Sequence, residues 1–179
     1  MEFSDRIEDQ ADRIITLFAA TFAASEGADE GAQIGMLVSN LLRDAKRDDT
    51  RVFTAFDSDA LVGAVLFSRM VYDQDPRHVR LLSPMAVATG RHSQGIGQAL
   101  INHALAELRA QGTDIALTYG SPVFYGKTGF QPITEDTAAA PLPLSFPHGW
   151  IGQSLTQAPL TPLQGTPTCV AALNDPQFW

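Results

Sequence analysis

A strand-like run, Ser83-Pro84-Met85-Ala86-Val87, leads through a polar turn into His92-Ser93-Gln94-Gly95-Ile96-Gly97-Gln98 and on to apolar residues at helical spacing. Glycine has no Cβ, so the backbone N–H groups at the start of that helix can approach an anion directly and present the positive end of the helix dipole to it. The chemistry this offers is a phosphate cradle. A glycine turn alone does not choose its ligand, since nucleotide and dinucleotide sites use similar ones. Further on, Val123-Phe124-Tyr125-Gly126-Lys127-Thr128-Gly129-Phe130 carries a phenol with an ordinary pKa of about 10, protonated at neutral pH and able to donate a proton.

The elements that must position these groups are legible from hydrophobic periodicity. From about Glu8 to Ala24, the residues Ile14, Leu17, Phe18 and Phe22 predict a first helix. Ile34, Leu37, Val38, Leu41 and Leu42 predict a second, ending in the charged run Arg43 to Arg47. Arg51 to Phe56 and Leu61 to Tyr72 read as a hairpin around Asp57-Ser58-Asp59-Ala60, and the polar turn Asp73 to Arg77 leads to a third strand, Val79 to Val87. Ile96, Leu100, Ala104 and Leu108 stripe a helix that opens at the glycine turn and stops at Gly112. Ile115 to Tyr119 is a short apolar strand; the helical crossover before it makes it parallel to the strand ending at Val87. Ser121 caps a short helix with Pro122 in its first turn, closed by Gly129. Beyond Pro132 the chain is rich in proline, with strands expected over Trp150 to Leu155 and Thr168 to Leu173.

At 179 residues and 45% hydrophobic, the chain reads as one globular domain, 1–179, whose proline-rich segment 134–179 folds back on the core. The 20 acidic against 12 basic residues give a formal net charge of −8, which disfavours nucleic acid and anionic membranes and favours a cationic partner. Cys169 is the single cysteine, so no internal disulfide or CxxC metal site is expected, and the four histidines lack metal-ligand spacing. The charged N-terminus and the lack of an apolar run of ~20 residues argue against a signal peptide and a membrane span. The expectation is a cytoplasmic monomer or homodimer that binds no metal.

Taken together, a mixed sheet with two early helices, a strand–glycine turn–helix and a later Tyr-containing turn resemble the GCN5-related N-acetyltransferase (GNAT) superfamily over roughly residues 8–133. Its pattern (Gln or Arg)-x-x-Gly-x-(Gly or Ala) falls on His92 to Gly97, with His92 departing from it. Its Phe-Tyr-x-x-x-Gly-Phe signature stands at Phe124 to Phe130. Pro84-Met85-Ala86-Val87 is similar to a small bacterial branch, the YhbS-like N-acetyltransferases.

The resemblance implies an α/β (α+β) fold: a mixed, mostly antiparallel sheet splayed in its middle and flanked by helices on both faces. It implies acetyl-CoA as cosubstrate and an amine as acceptor. The pyrophosphate would lie on His92, Ser93, Gln94, Gly95, Ile96, Gly97 and Gln98, and the pantetheine would hydrogen-bond the backbone of Met85, Ala86 and Val87 as an added strand. Tyr125 would touch the thioester sulfur and protonate the departing thiolate.

A general base is not evident, because Leu81-Leu82-Ser83 holds no carboxylate where some members of the family carry a Glu. Ser83 is a candidate for orienting water or substrate, and equally a plain strand residue. Asp73, Asp75 and His78 are candidates for the base, although residues of this kind before a strand read first as a solvated polar turn. Two other readings stay open: a module that binds acyl-CoA without catalysis, and a dinucleotide-binding domain. The second expects a strand near the N-terminus feeding the glycines, whereas two helices and a hairpin come first.

Overall fold

The computed structural model describes residues 1–44 and 48–179; the end of the expected charged run, 45–47, lies outside them. The elements are β1 (Glu2–Ser4), α1 (Ala11–Glu26), α2 (Ala28–Asp44), β2 (Thr50–Asp57), β3 (Ala60–Tyr72), β4 (Val79–Val87), α3 (Ile96–Ala110), β5 (Ile115–Tyr119), α4 (Pro122–Tyr125), β6 (Gln131–Pro132), β7 (Trp150–Ser154) and β8 (Pro167–Thr168). The strands order as β1-β2-β3-β4-β5-β7-β6, with β8 paired to β3 off that path. β4 and β5 run parallel, as the helical crossover demands, while β1–β2, β5–β7, β6–β7 and β3–β8 are antiparallel.

The chain divides into two compact units, Met1–Phe67 with Pro84–Ala104, and Ser68–Ser83 with Leu105–Trp179. In the first, Gly27 ends α1 at a φ of +105° and lets α2 turn straight back. α2 then lays Gly31 and Gly35 on α1: a Cβ at Gly31 would sit 2.6 Å from the Ala19 carbonyl oxygen, and one at Gly35 3.2 Å from the Ala19 methyl. Ile14, Phe18, Leu37, Val38 and Leu41 of these helices are buried, as are Phe53, Val65, Leu100 and Ile101. His103 stacks on Phe3 with ring centroids 5.0 Å apart and meets Phe53 edge-on, so this imidazole is a packing residue.

In the second unit, Leu117, Phe130, Trp150 and Ile151 are buried, and the Trp150 indole donates to the Ala138 carbonyl at 2.7 Å. Trp179 packs edge-on against Trp150 at 6.0 Å and donates to the Leu173 carbonyl at 2.8 Å. The strand expected over Thr168 to Leu173 is reduced to β8; Ala171–Leu173 is a 3-10 turn that buries Leu173. The β-branched run is too short there to hold a strand against the Ala-Ala pair that follows. β1 has only three residues, too few for alternation to announce it.

Candidate active site

After β4 the chain makes a 3-10 turn over Thr89–Arg91, and α3 begins at Ile96. In between, Ser93 and Gly95 both take left-handed backbone angles, with φ of 62° and 75°. Left-handed residues set between right-handed or extended neighbours fold successive N–H groups inward into a concave nest for an anion. Gly95 accepts the first helical hydrogen bond from Ala99 at 3.0 Å, so the N–H groups of the next residues, Ile96, Gly97 and Gln98, fall in a first turn with no carbonyl one turn behind them. Gly97 is buried and Gln98 half-buried, whereas His92 to Gly95 are exposed.

Serine at φ 62° is strained where glycine is not. Ser93→Gly is therefore expected to raise unfolding stability by about 0.5–1 kcal/mol, the left-handed penalty less the extra entropy of an unfolded glycine. Chemical denaturation checks this, and a lower midpoint in the variant would contradict it.

Two side chains brace the turn. Arg91 donates to Gln94 Oε1 at 3.0 Å and forms an ion pair with Asp57 at 2.5 Å, which holds the Asp57 carboxyl below its usual pKa through that hydrogen bond and the guanidinium charge. His92 turns its ring back, Nε2 lying 2.8 Å from the Val87 carbonyl oxygen. That carbonyl also accepts from the Thr21 hydroxyl at 3.5 Å. The N–H of the same peptide unit, that of Ala88, donates to Val62 of β3, so the Val87 carbonyl points to the opposite side.

The parallel ladder of β4 with β5 runs from Val79↔Ile115 to Leu82↔Thr118, while β4 itself continues through Ser83–Val87. Along that extension Ser83, Met85 and Val87 are half-buried and alternate with buried Pro84 and Ala86.

Tyr125 ends a four-residue helix that begins as expected, with Ser121 accepting from the Phe124 N–H at 3.4 Å and Pro122 in the first turn. Gly129 closes the following 3-10 turn at a φ of 95°. The ring of Tyr125 lies on Gly120, where a Cβ would come within 2.8 Å of Cε2, and meets Phe124 and Phe130 edge-on at 5.0 and 5.8 Å. Burial pushes the phenol up to about 12. The phenol is therefore held fully protonated at neutral pH. Thr118 is wholly buried and donates to the Leu82 carbonyl at 2.8 Å, at the last rung of the β4–β5 ladder.

The polar turn before β4 is exposed at Asp73, Gln74, Pro76 and His78, yet its side chains are tied down by hydrogen bonds. Asp75 accepts from the Arg77 guanidinium at 2.6 and 2.8 Å, from the Arg77 backbone N–H at 3.1 Å and from the Gln164 N–H at 3.0 Å; Arg77 also reaches the carbonyls of Thr161 and Pro162. Asp73 accepts from the Thr166 N–H at 2.6 Å. The backbone N–H of His78 donates to Asp114, and its ring bonds the Gly112 carbonyl oxygen at 3.0 Å. These side chains fasten the proline-rich segment and the α3–β5 turn to the end of β3 and the start of β4.

The Arg77 hydrogen bond holds the Asp75 carboxyl well below the usual carboxylate range. A depressed pKa stabilises the fold above the unfolded value of about 4 and loses that contribution as pH falls below it. Asp75→Asn is expected to cost about 2 kcal/mol at pH 7, roughly 4–8 °C in melting temperature. The gap from the parent protein should close as the pH is lowered from 5 toward 2. A pH-independent gap in thermal melts would contradict this account.

Sequence reading passed over two residues in this region. Arg91 is the cation of the glycine turn, and its signal was a basic residue directly before His92. Thr118 is the lone hydroxyl in the apolar run Ile115 to Thr118, and that isolation was its signal. Cys169 is half-buried, and burial pushes its thiol up from the ordinary value. Among the described residues no cluster of His, Cys, Asp and Glu is arranged to hold a metal, and no helix is long and apolar enough to cross a membrane.

Residues 48–132 match the family model of the acetyltransferase (GNAT) domain. None of the curated proteins matches the sequence. Among solved structures, the chain is similar to the GNAT family N-acetyltransferase YhbS from Escherichia coli, in complex with CoA. The TM-score is 0.80 at 21% identity, over 97% of this chain and 92% of that one. A GNAT family acetyltransferase from Brucella melitensis, in complex with acetyl-CoA, gives 0.75 at 21% identity, over 97% of each. An aminoglycoside 6'-N-acetyltransferase complexed with coenzyme A gives 0.65 at 15%, over 89% of this chain and 99% of that one. At these identities the likeness is one of fold, and it extends well past the stretch that the family model matches. Residues 48–132 thus match the GNAT acetyltransferase domain model, and the chain shares the fold of these acetyltransferases over nearly its whole length.

Proposed function

We propose that the protein, acting as a single acetyltransferase domain, transfers the acetyl group of acetyl-CoA to a primary amine of a small molecule or peptide by direct attack. The observation that carries this reading is the nest at Ser93 and Gly95, opening a 15-residue helix directly after a strand that outruns its parallel partner. Such a nest suits a pyrophosphate: the N–H groups of His92 to Gln98 would bind it, with the Arg91 charge beside them. The backbone of Met85, Ala86 and Val87 would hydrogen-bond the pantetheine amides. For the Val87 carbonyl to accept from a pantetheine amide, the His92 ring must give way.

In the reaction the neutral amine attacks the thioester carbonyl carbon, the C–N bond forms, and the C–S bond breaks as the tetrahedral intermediate collapses. Tyr125 gives its phenolic proton to the leaving sulfur, and the amine's proton passes to water, which Ser83 would orient. A cavity of about 850 Å³ in the second unit is walled by Glu135, Asp136, His148, Leu144 and Trp150. Its two carboxylates, together with the net charge of −8, support a cationic acceptor. A lone cysteine and the absence of any expected disulfide support a reducing, cytoplasmic setting.

One observation favours a second reading, a module that binds acyl-CoA without catalysis: the ionisable side chains Asp73, Asp75 and His78 are all committed to structural hydrogen bonds. Thiol release from acetyl-CoA across polyamines, amino acids, aminoglycosides and peptides separates the two. Release with at least one amine class supports transfer. Binding of CoA with no release from any of them supports the binding module.

A further inference from the structure

We propose that Gly120 is a positioning residue for Tyr125: the side chain it lacks is the space in which the phenol ring sits, and this seat sets where the phenolic proton meets the leaving sulfur. The inference rests on the reading of Tyr125 as the acid that protonates the departing thiolate.

The backbone does not require glycine at 120, because its φ lies outside the left-handed region that Gly129 occupies a few residues on. Space requires it instead. A Cβ there would lie 2.8 Å from Tyr125 Cε2, 3.5 Å from Cδ2 and 3.8 Å from Cζ, so one edge of the ring rests against the bare Cα. Carbon atoms settle at about 3.5–4.0 Å, and a methyl group would therefore drive that edge back by roughly 0.7–1.2 Å. Phe124 and Phe130 bound the ring elsewhere, with centroids 5.0 and 5.8 Å away, and Phe130 is itself buried.

Gly120 cannot retreat from the ring either. Its N–H donates to the Gly149 carbonyl at 2.9 Å. Gly149 is packed as tightly, since a Cβ there would lie 3.2 Å from the Gly120 oxygen and 3.3 Å from Tyr119 Cε2. The Tyr119 phenol accepts from the Phe146 N–H and lies 3.1 Å from Ser145 Oγ, while the Phe146 carbonyl accepts from the Gly149 N–H at 2.8 Å. The turn 145–149 thus clasps the end of β5, and the seat is fixed from the side away from the acid. A general acid must come within hydrogen-bond reach of the atom it protonates, and a misplacement of about 1 Å can cost ~100-fold. Gly120 is not among the residues proposed to hold the cosubstrate, so its substitution should act on the chemical step alone. Gly126 supplies the matched control: it follows Tyr125 directly, has a φ of −58°, and a Cβ there meets nothing within 4 Å.

The experiment follows thiol release from acetyl-CoA with the fastest acceptor among spermidine, lysine, kanamycin and a short peptide amine. It compares kcat and the KM for acetyl-CoA in the parent, Gly120→Ala, Gly126→Ala, Tyr125→Phe and the Gly120→Ala/Tyr125→Phe double variant. The chain has three tyrosines, so labelling with 3-fluorotyrosine gives a fluorine resonance for Tyr125 that is identified by its loss in Tyr125→Phe. Gly120→Ala should lower kcat by about 10–100-fold and move that resonance, with the KM for acetyl-CoA within about twofold of the parent. Gly126→Ala should match the parent in all three, and the alanine at 120 should have no further effect once the phenol is gone. If Gly120→Ala impairs folding, Tyr119→Phe loosens the same seat from the turn and should lower kcat by about threefold, the worth of one hydrogen bond, again only while Tyr125 is present. If the variant at the seat keeps the parent kcat, lowers it equally with and without the phenol, or does no more than Gly126→Ala, the role of Gly120 is overturned while Tyr125 stands. If Tyr125→Phe itself keeps the parent kcat, or no acceptor provokes release from the parent, the reading of Tyr125 as the acid falls first, and the role of Gly120 with it.

Discussion

Gly97→Asp abolishes the rise in melting temperature that acetyl-CoA is expected to give the parent protein. At a ligand concentration a hundredfold above Kd, binding to the native state alone stabilises it by about 2.7 kcal/mol, or roughly 5–11 °C for a chain of this size. Gly97 is buried in the first turn of α3, directly after the left-handed residues Ser93 and Gly95. On the proposed cradle a side chain there would enter the anion's space, and a carboxylate would add a like charge against a diphosphate. The same carboxylate is well placed for the helix itself, since the first turn favours negative charge. The variant should therefore keep its helical circular-dichroism spectrum while losing the response to ligand. A full shift in the variant, measured by scanning fluorimetry, would place the cosubstrate elsewhere.

Tyr125→Phe should leave acetyl-CoA binding nearly unchanged and lower kcat by about 10²–10⁴, the usual worth of a positioned general acid. The ring's contacts with Gly120, Phe124 and Phe130 need no hydroxyl, so phenylalanine preserves the packing and removes only the proton donor. A phenol pushed up to about 12 stays protonated well past the pH at which an ordinary tyrosine ionises. Activity that depends on it should accordingly show no alkaline loss from this group until the pH approaches that value. Stopped-time assays of thiol release across pH 6–10 test both statements, and a kcat within twofold of the parent would remove Tyr125 from the chemistry.

Most of the elements that frame the site could be read locally. Ile96, Leu100, Ala104 and Leu108 announced α3 by spacing, Ser121 with Pro122 announced α4, and the length of the crossover from β4 to β5 required a parallel pair. The helix boundaries shifted by a few residues, because α1 starts only at Ala11 and runs on to Glu26, where glycine stops it. What was not legible depends on residues far apart in the chain. Arg77 meets Thr161 and Pro162, and Arg91 meets Asp57, through polar contacts that leave no periodic trace. The turn from Asp73 to Arg77 read as polar surface, which Asp73 and Gln74 are, but composition reports polarity and not the partners of Asp75 and Arg77. Thr118 likewise read as one more strand residue, since β-branching suits a strand whether or not the hydroxyl has work to do. His92 departs from the family pattern, and only the fold shows its ring occupied with the Val87 carbonyl.

The left-handed backbone at Ser93 and Gly95 is braced by Arg91, which bonds both Gln94 and Asp57. A loop that had to adopt those angles on binding would spend part of every encounter searching for them, and its apparent affinity would fall by the fraction of time it held the right shape. Bracing of this kind is expected to spare the turn that search, the strain at Ser93 being a cost of the fold itself. Association should then behave as a single step limited by encounter, its observed rate rising linearly with cosubstrate concentration and showing no plateau. The shape of the turn is in this sense a kinetic property as much as a geometric one.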